Sequence, residues 1–459
     1  MDEPACPGCR ELHNQVAELA AQVAELTRKL DEAVRAGKRQ AAPFRKGPPK
    51  PDPKTPGRKS GDAHGPHGHR PSPTEPIAEC HEAALPDACP HCRGRLVETA
   101  TADQFQTEIP RTPLVRKFRV HIGHCDACGK RTQGRHPLQT SDALGAAASQ
   151  IGPDAQAAAT LLHTRMGLSH GKVASIFQTL FGIKVTRGAS AQIGLRAATR
   201  LEPDYHLILA EVRRSEHIAA DETGWHVGGR SAWLHAWVGD RATAYGIDPQ
   251  RSAEVLERVI GVGWSGVLSH DGFASYDRFG AAIHQQCVAH VLRRARELLV
   301  GATRGAVRFP RQVIGLLTEA IHWRNGYVPG AWTDDQRDRH RGAFDDRLLE
   351  LVSRPRAVPE YATLAKHLRN HFEQWFAFVF DPRIEPTNWK AEQAIRPAVV
   401  NRKVWGGNRT DVGAKAQGVL MSVLETCRRQ AHSVVDHLSQ TLRSFGNRLL
   451  QRPVLLPGR

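Results

Sequence analysis

The stretch from His217 to Gly272 constrains this chain most, because its hydrophobic pattern changes period in a fixed order. HIAADETGWHV, SAWLHAWVGD and ATAYGID are short segments rich in apolar, aromatic and β-branched residues, separated by the turn-forming VGGR and GDR. They read as an antiparallel meander of three strands. SAEVLERVIG then takes up helical spacing, and GVLSHDG returns to an apolar strand. Strand, strand, strand, helix, strand is an order in which the first and fourth strands come to lie side by side.

Two of these strands end in carboxylates. Asp221 lies in AADETGWHV and Asp271 in GVLSHDGFASY, while a third, Glu392, lies in the helical PTNWKAEQAIRP. Two strand-borne carboxylates and one helix-borne carboxylate are what a ribonuclease-H-like fold uses to hold two magnesium ions. Such ions stand about 3.5–4 Å apart and clamp the attacking and leaving oxygens of a phosphoryl transfer. The expected fold class is therefore mixed α/β with a ribonuclease-H-like core. Taken singly, Asp271-Gly272 reads equally well as a turn and Asp221 as an ordinary strand end. RQVIGLLTEAIHW and FDDRLLELVSR, between Asp271 and Glu392, are helical, so residues 299–380 read as a helical insertion dividing the core into 216–298 and 381–459. GVGWSG at 261–266 precedes a strand instead of opening a helix, and so is not a dinucleotide loop.

Ahead of the core, residues 1–36 carry Leu12, Val16, Leu19, Val23, Leu26 and Leu30 in a heptad rhythm. That is a coiled-coil oligomerisation helix, or one amphipathic helix packed on the body. Residues 37–76 are a disordered basic linker of Pro, Gly, Lys, Arg and His, with nine Lys/Arg against two Asp between 38 and 70. It serves as a tether or lies along phosphates. In residues 77–137, Cys89-Pro-His-Cys92 and Cys125-Asp-Ala-Cys128 flank alternating segments such as LVRKFRVHIGHC, the signature of a zinc ribbon whose four thiolates close a structural site. Cys80, His91 and His124 are spare ligands. Residues 138–215 are helical. Within them Gly167–Gln192 reads as helix, turn and helix with Ser169 and Thr186 as N-caps, either a helix-turn-helix for a DNA major groove or a structural pair.

The net charge of +16 over 459 residues points to a polyanionic partner, above all nucleic acid. No apolar run approaches the roughly 18 residues that a membrane span needs. The opening MDEPACPGCRELHNQ is polar and is not a signal peptide. Six of nine cysteines fall in Cys-x-x-Cys pairs, including Cys6 and Cys9, which favours metal binding in a reducing cytoplasm over disulfides.

Side chains near the carboxylates complete the candidates. Cys287 and His290, in a segment IHQQCVAHVLRRARELL read as one helix, share a face and suit a metal, a positioning role or plain packing. Arg293, Arg294 and Arg296 meet phosphates or solvate that helix. Asn388, one turn before Glu392, orients the carboxylate or a phosphate; Arg396 is its nucleic-acid-binding neighbour or a simple ion-pair partner of Glu392. In VVNRKVWGGNRTDVGAKAQG, read as a loop, Arg402, Lys403, Arg409 and Lys415 surround Trp405, which stacks on a base or belongs to the core.

ADETGWHV, SHDGFASYDRF with HQQCVAHVLRRARELL, and TNWKAEQAIRPAVVNRKVWGGNRT resemble the insertion sequence 66 family of bacterial transposases (TnpC-type). The heptad helix, basic linker and paired Cys-x-x-Cys motifs are similar too. The resemblance implies a transposase with an aspartate–aspartate–glutamate triad at Asp221, Asp271 and Glu392. It would use two magnesium ions, with manganese able to substitute, to cleave element ends and join them to target DNA. It also implies structural zinc, terminal inverted repeats and target DNA as partners, a homo-oligomer of at least two chains, accessory proteins from the same element, and a bacterial cytoplasmic, nucleoid-associated location. Two positions depart from the family pattern. Trp389 stands where a second Asn is usual, and Gln393 where an Arg is usual, both beside Glu392. A silent DNA-binding derivative and a nuclease that cuts without joining are the competing functions.

Overall fold

The computed structural model describes residues 15–23, 25–27, 72–107, 109, 112–145, 149–300, 304–444 and 453–456. They fall into two compact units, Met1–Ile109 and Pro110–Arg459. The Cys89/Cys92 and Cys125/Cys128 pairs therefore belong to different units. Leu12, Leu30, Cys6, Cys9 and nearly all of the basic 37–76 segment lie outside the described residues.

In the first unit, 15–23 and 25–27 are helical, and the heptad side chains Val16, Leu19, Val23 and Leu26 are all exposed. Beyond residue 72 this unit holds a tight knuckle at Cys89–Cys92. Cys89 donates its N–H to Gly94 O at 3.0 Å, its carbonyl accepts from Arg93 N–H at 2.8 Å, and Arg93 takes a left-handed φ of 58°.

The second unit repeats that knuckle at Cys125–Cys128. Cys125 bonds Lys130 O at 3.0 Å and Gly129 N–H at 2.7 Å, and Gly129 has φ 67°. Strands β1 (Ile122–His124) and β2 (Arg131–Gln133) form a short antiparallel hairpin around it. The strands expected between the two Cys pairs are otherwise missing among the described residues. Val97, Leu114 and Val115 there are exposed, with no apolar face to cover them. A strand without a partner is not stable on its own.

Three helices follow: α1 (Pro153–Thr164), α2 (His170–Phe181) and α3 (Arg187–Arg213). Helix starts at Pro153, whose fixed φ suits the first turn, and not near 140 as the composition suggested. Ser169 and Thr186 do cap α2 and α3, accepting from Lys172 N–H and Ala189 N–H.

The sheet is built from β3 (His217–Val227), β4 (Arg230–Val238), β5 (Thr243–Asp248), β6 (Val267–His270) and β7 (Ile283–Gln286), in the order β5-β4-β3-β6-β7. β3, β4 and β5 are antiparallel; β6 runs parallel beside β3, and β7 parallel beside β6. Helix α4 (Ala253–Ile260) makes the crossover from β5 to β6. The segment read as one long helix is split: Ile283–Gln286 is a strand, and α5 (Val288–Val300) begins only after Cys287.

Next come α6 (Arg308–Asn325), α7 (Asp334–Ser353), α8 (Pro359–Asn370) and the single turn α9 (Ala377–Phe380). With α5 they build a helical core of their own around Leu317, Leu348, Leu364, Trp375 and Phe378. The chain then returns through α10 (Trp389–Trp405), α11 (Asp411–Arg429) and α12 (Val434–Ser444). α10 covers one face of the sheet, where Ala391, Ala394, Ile395 and Ala398 meet Ala219, Trp225 and Leu234. On the other face Ile218, Ala220, Trp237 and Leu268 pack with residues of α3, α4, α11 and α12. Each large apolar side chain so buried stabilises by about 1.5–3 kcal/mol.

Candidate active site

Side chains of a strand alternate between its two faces. On β3, Asp221 follows Ala219 and precedes Trp225 on the face covered by α10, whereas its neighbour Glu222 points to the opposite face. β3 and β6 are paired in parallel with Ala219 opposite Ser269. Continuing that register by two residues sets Asp271 beside Asp221. Asp271 follows the last residue of β6 and is also a turn residue, its Oδ1 accepting from Phe273 N–H at 3.0 Å. Gly272 has φ 90°, and a Cβ there would lie 2.5 Å from Gln286 Oε1, so only glycine fits the turn. Glu392 occupies the first turn of α10.

The electrostatics tie the three carboxylates together. Asp221 is pushed up to about 7, first by burial and then by the charges of Glu222, Asp271 and Glu392. Glu222 is raised too, mainly by burial, although Tyr276 and Arg251 oppose the rise. Its side chain is 1% exposed and accepts from Tyr276 Oη at 2.7 Å and Arg251 Nε at 2.7 Å. Arg251 lies over the Phe273 ring at 3.7 Å and brings Nη2 to 3.7 Å from Asp271 Oδ2. Glu222, Arg251 and Tyr276 are not singled out by the sequence; only the adjacency of Glu222 to Asp221 hinted at them.

Asn388 is buried, 1% exposed. Its Nδ2 donates to Ala220 O at 2.7 Å and its N–H to Cys287 Sγ at 3.2 Å, so in this conformation it anchors α10 and does not reach outward to a phosphate. The Cys287 thiol donates to Glu392 Oε1 at 3.9 Å, and His290 Nδ1 is 3.9 Å from the same oxygen. Arg396 is exposed, and no ion pair joins it to Glu392 among the described residues.

The segment read as a DNA-gripping loop is mostly helix, because α10 runs on to Trp405 and stops at Gly406 with φ 84°. Arg402 is half-buried and donates to Thr223 Oγ1 at 3.4 Å; Lys403 is exposed. Trp405 is half-buried, stacked on His163 at 5.2 Å and edge-on to Trp225 at 5.8 Å. The remaining loop, Gly406–Thr410, is fastened to the end of β3. Asn408 donates its N–H to His226 O at 2.9 Å and accepts from Trp225 Nε1 at 2.7 Å. The loop walls a cavity of about 850 Å³ lined by Lys172, Arg187, Trp405, Arg409 and Gln417, with His163 and His170. Burial lowers both imidazoles, His170 to about 4, so at neutral pH the positive charge comes from Lys172, Arg187 and Arg409.

In each Cys knuckle backbone N–H groups point at the first sulfur. Those of Cys92 and His91 hold the Cys89 thiol below its ordinary pKa, and those of Cys128 and Ala127 do the same for Cys125. No helix among the described residues is long and apolar enough to cross a membrane.

A protein of Sinorhizobium fredii (strain NBRC 101917 / NGR234) named "Uncharacterized protein y4qI" is 26% identical over 294 residues, 57% of this chain and 53% of that protein. A second, "Uncharacterized protein y4hP" of the same strain, is 24% identical over 385 residues, 75% of this chain and 68% of its own. The chain thus spans about half the length of the first of these relatives. A family profile described as "Transposase IS66 family" matches residues 148–416, which include Asp221, Asp271 and Glu392. The chain belongs to the IS66 family of transposases.

Proposed function

We propose that this chain is a transposase that cuts DNA at the ends of an insertion sequence and joins them to a target, using a ribonuclease-H-like core. One observation carries the reading: the parallel register of β3 and β6 sets Asp271 beside a half-buried Asp221, which burial and the charges of Glu222, Asp271 and Glu392 together push up to about 7. Apart from Arg251, which Glu222 also claims, these acids have no fixed cation close by among the described residues. Like charges gathered out of water are costly unless a cation joins them. The strand order, with β3 parallel beside β6, supports the same fold reading.

The donor set fits the metal. Carboxylate oxygens are hard ligands, which suits magnesium or manganese. When bound, a pair of such ions activates the attacking oxygen and stabilises the leaving one. The chain's own part is to hold and orient. Asp221 and Asp271 present oxygens from adjacent strands, and Glu392 closes the site from α10. Arg251 lends positive charge beside Asp271 and neutralises Glu222. No side-chain nucleophile is needed, since water and then a freed 3′-hydroxyl attack phosphorus. The basic cavity around Trp405 and Arg409, together with the α2–α3 helix pair, binds DNA. The exposed heptad positions pair chains so that two element ends are held together, and the Cys89/Cys92 and Cys125/Cys128 thiolates bind structural zinc.

The test is Asp221→Ala in the full chain. Cleavage of a DNA carrying the element end should fall below detection with magnesium or manganese, while binding of that DNA persists. Equal cleavage by parent and variant overturns the reading. Binding without cleavage by the parent itself would identify a silent derivative, and nicked target without insertions a nuclease.

A further inference from the structure

Cys287 and His290 bracket the start of α5, and Glu392 sits in the first turn of α10. The sulfur, a ring nitrogen and a carboxylate oxygen of these three residues all lie within 4.8 Å of one another. Around one tetrahedral zinc, with bonds of about 2.0–2.3 Å, ligand atoms stand about 3.3–3.5 Å apart. Since both Cys287 Sγ and His290 Nδ1 are 3.9 Å from Glu392 Oε1, rotations of side chains suffice to close the set.

Three further observations point to a ligand. His290 Nδ1 is shielded from solvent and makes no hydrogen bond. The Asn388 backbone N–H donates to the Cys287 thiol, and with those of Ala289 and His290, two and three residues beyond it, opposes the rise that burial imposes on that thiol. N–H groups two and three places on act in the same sense at Cys89 and Cys125, where they outweigh burial, as they do not at Cys287. Finally, Val288 N–H donates to Pro386 O at 3.0 Å and Asn388 N–H to Cys287 Sγ at 3.2 Å, so the two ligand-bearing segments are already joined.

We propose that Cys287, His290 and Glu392 form a binding site for a borderline-soft divalent cation, zinc foremost, which shares Glu392 with the carboxylate centre. Sulfur and imidazole ligands select zinc over magnesium. Three protein ligands leave a fourth position for water, so the site is open, unlike a four-thiolate one. While zinc is bound, Glu392 Oε1 is committed to it, and the carboxylate available to Asp221 and Asp271 is correspondingly less charged. The binding claim stands whether or not the chain cuts DNA.

The experiment counts zinc in the full chain after equilibration with buffered zinc, for the parent, Cys287→Ala, His290→Ala and the double variant Cys89→Ser/Cys125→Ser. Both core variants should lose about one equivalent relative to the parent, whereas the double variant keeps it. With cobalt(II) as probe, the parent-minus-Cys287→Ala difference should contain a thiolate charge-transfer band in the near ultraviolet. Equal zinc in the parent and both core variants, or a difference spectrum without that band, overturns the proposal. Should buried Cys287→Ala fail to fold, the more exposed His290→Ala decides by its zinc count alone.

Discussion

Asn388 donates its side-chain amide to the carbonyl oxygen of Ala220 over 2.7 Å, which ties the start of the Glu392 helix to the residue preceding Asp221. Buried on both sides, this bond fixes the distance between two parts of the candidate centre that are far apart in sequence. Asn388→Ala should cost about 1–3 kcal/mol in urea unfolding, because it strands a buried carbonyl. It should also lower strand cleavage by about 10²-fold, the usual cost of an ångström's misplacement. Full cleavage in a destabilised variant would show that Glu392 does not depend on this tie.

Asp221 gives a pH signature. Its folded value of about 7 lies above the ordinary 3.8, because burial and three neighbouring carboxylates oppose its charge. Between those values the folded chain retains a proton that the unfolded chain has lost. The stability of the metal-free protein therefore falls as pH rises from 3.8 to about 7. Asp221→Asn should flatten this part of the curve, removing a slope of at most about 1.4 kcal/mol for each step of one in pH. Magnesium added above pH 7 should restore stability to the parent and much less to the variant. Denaturant titrations at stepped pH measure both effects, and equal slopes in the two proteins would refute the assignment.

Glu222 depends on Arg251 for its charge to be tolerated, since its side chain is 1% exposed. Arg251→Met should destabilise by about 3–5 kcal/mol, the cost of leaving a buried ion alone. Adding Glu222→Gln to that variant should recover a good part of the loss. A double-mutant cycle on unfolding free energies reads this directly, and a coupling near zero would rule the pair out as a structural unit.

Lys172, Arg187 and Arg409 converge on the cavity beside Trp405. Replacing any one with Ala should weaken DNA binding across sequences and reduce the slope of log affinity against log salt by about 1. Fluorescence anisotropy at graded salt provides the measurement. His170 should add nothing to binding as pH crosses 6, because burial lowers it to about 4 and it is already neutral there. An unchanged salt slope in all three variants would move the DNA elsewhere.

The strands carrying Asp221 and Asp271 were legible because their alternation and turn residues agree with their packing, and β3 spans the residues its pattern marked out. β7 was hidden by chemistry. Gln285 and Gln286 look like solvent-facing helix residues, yet both are buried, with their amides bonded to Trp375 O at 3.2 Å and Gln374 Oε1 at 2.8 Å. α10 runs further than its sequence suggests because glycines and charges after Val400 imitate a loop, while Asn401, buried and bonded to Thr164 O at 2.9 Å, holds that stretch helical. Arg251 and Tyr276 were beyond reach of the sequence, since nothing in a turn or a short 3-10 helix announces which buried acid it will meet.

The helices α6 to α9 stand in the chain between β7 and α10, so a growing polypeptide exposes both aspartates long before Glu392 leaves the ribosome. At typical rates of ~5–20 residues per second that interval is on the order of ten seconds. Through all of it the nascent molecule carries two of the three carboxylates of the candidate centre. On the proposed assignment, a product that ends within those helices lacks Glu392 and should not cleave DNA.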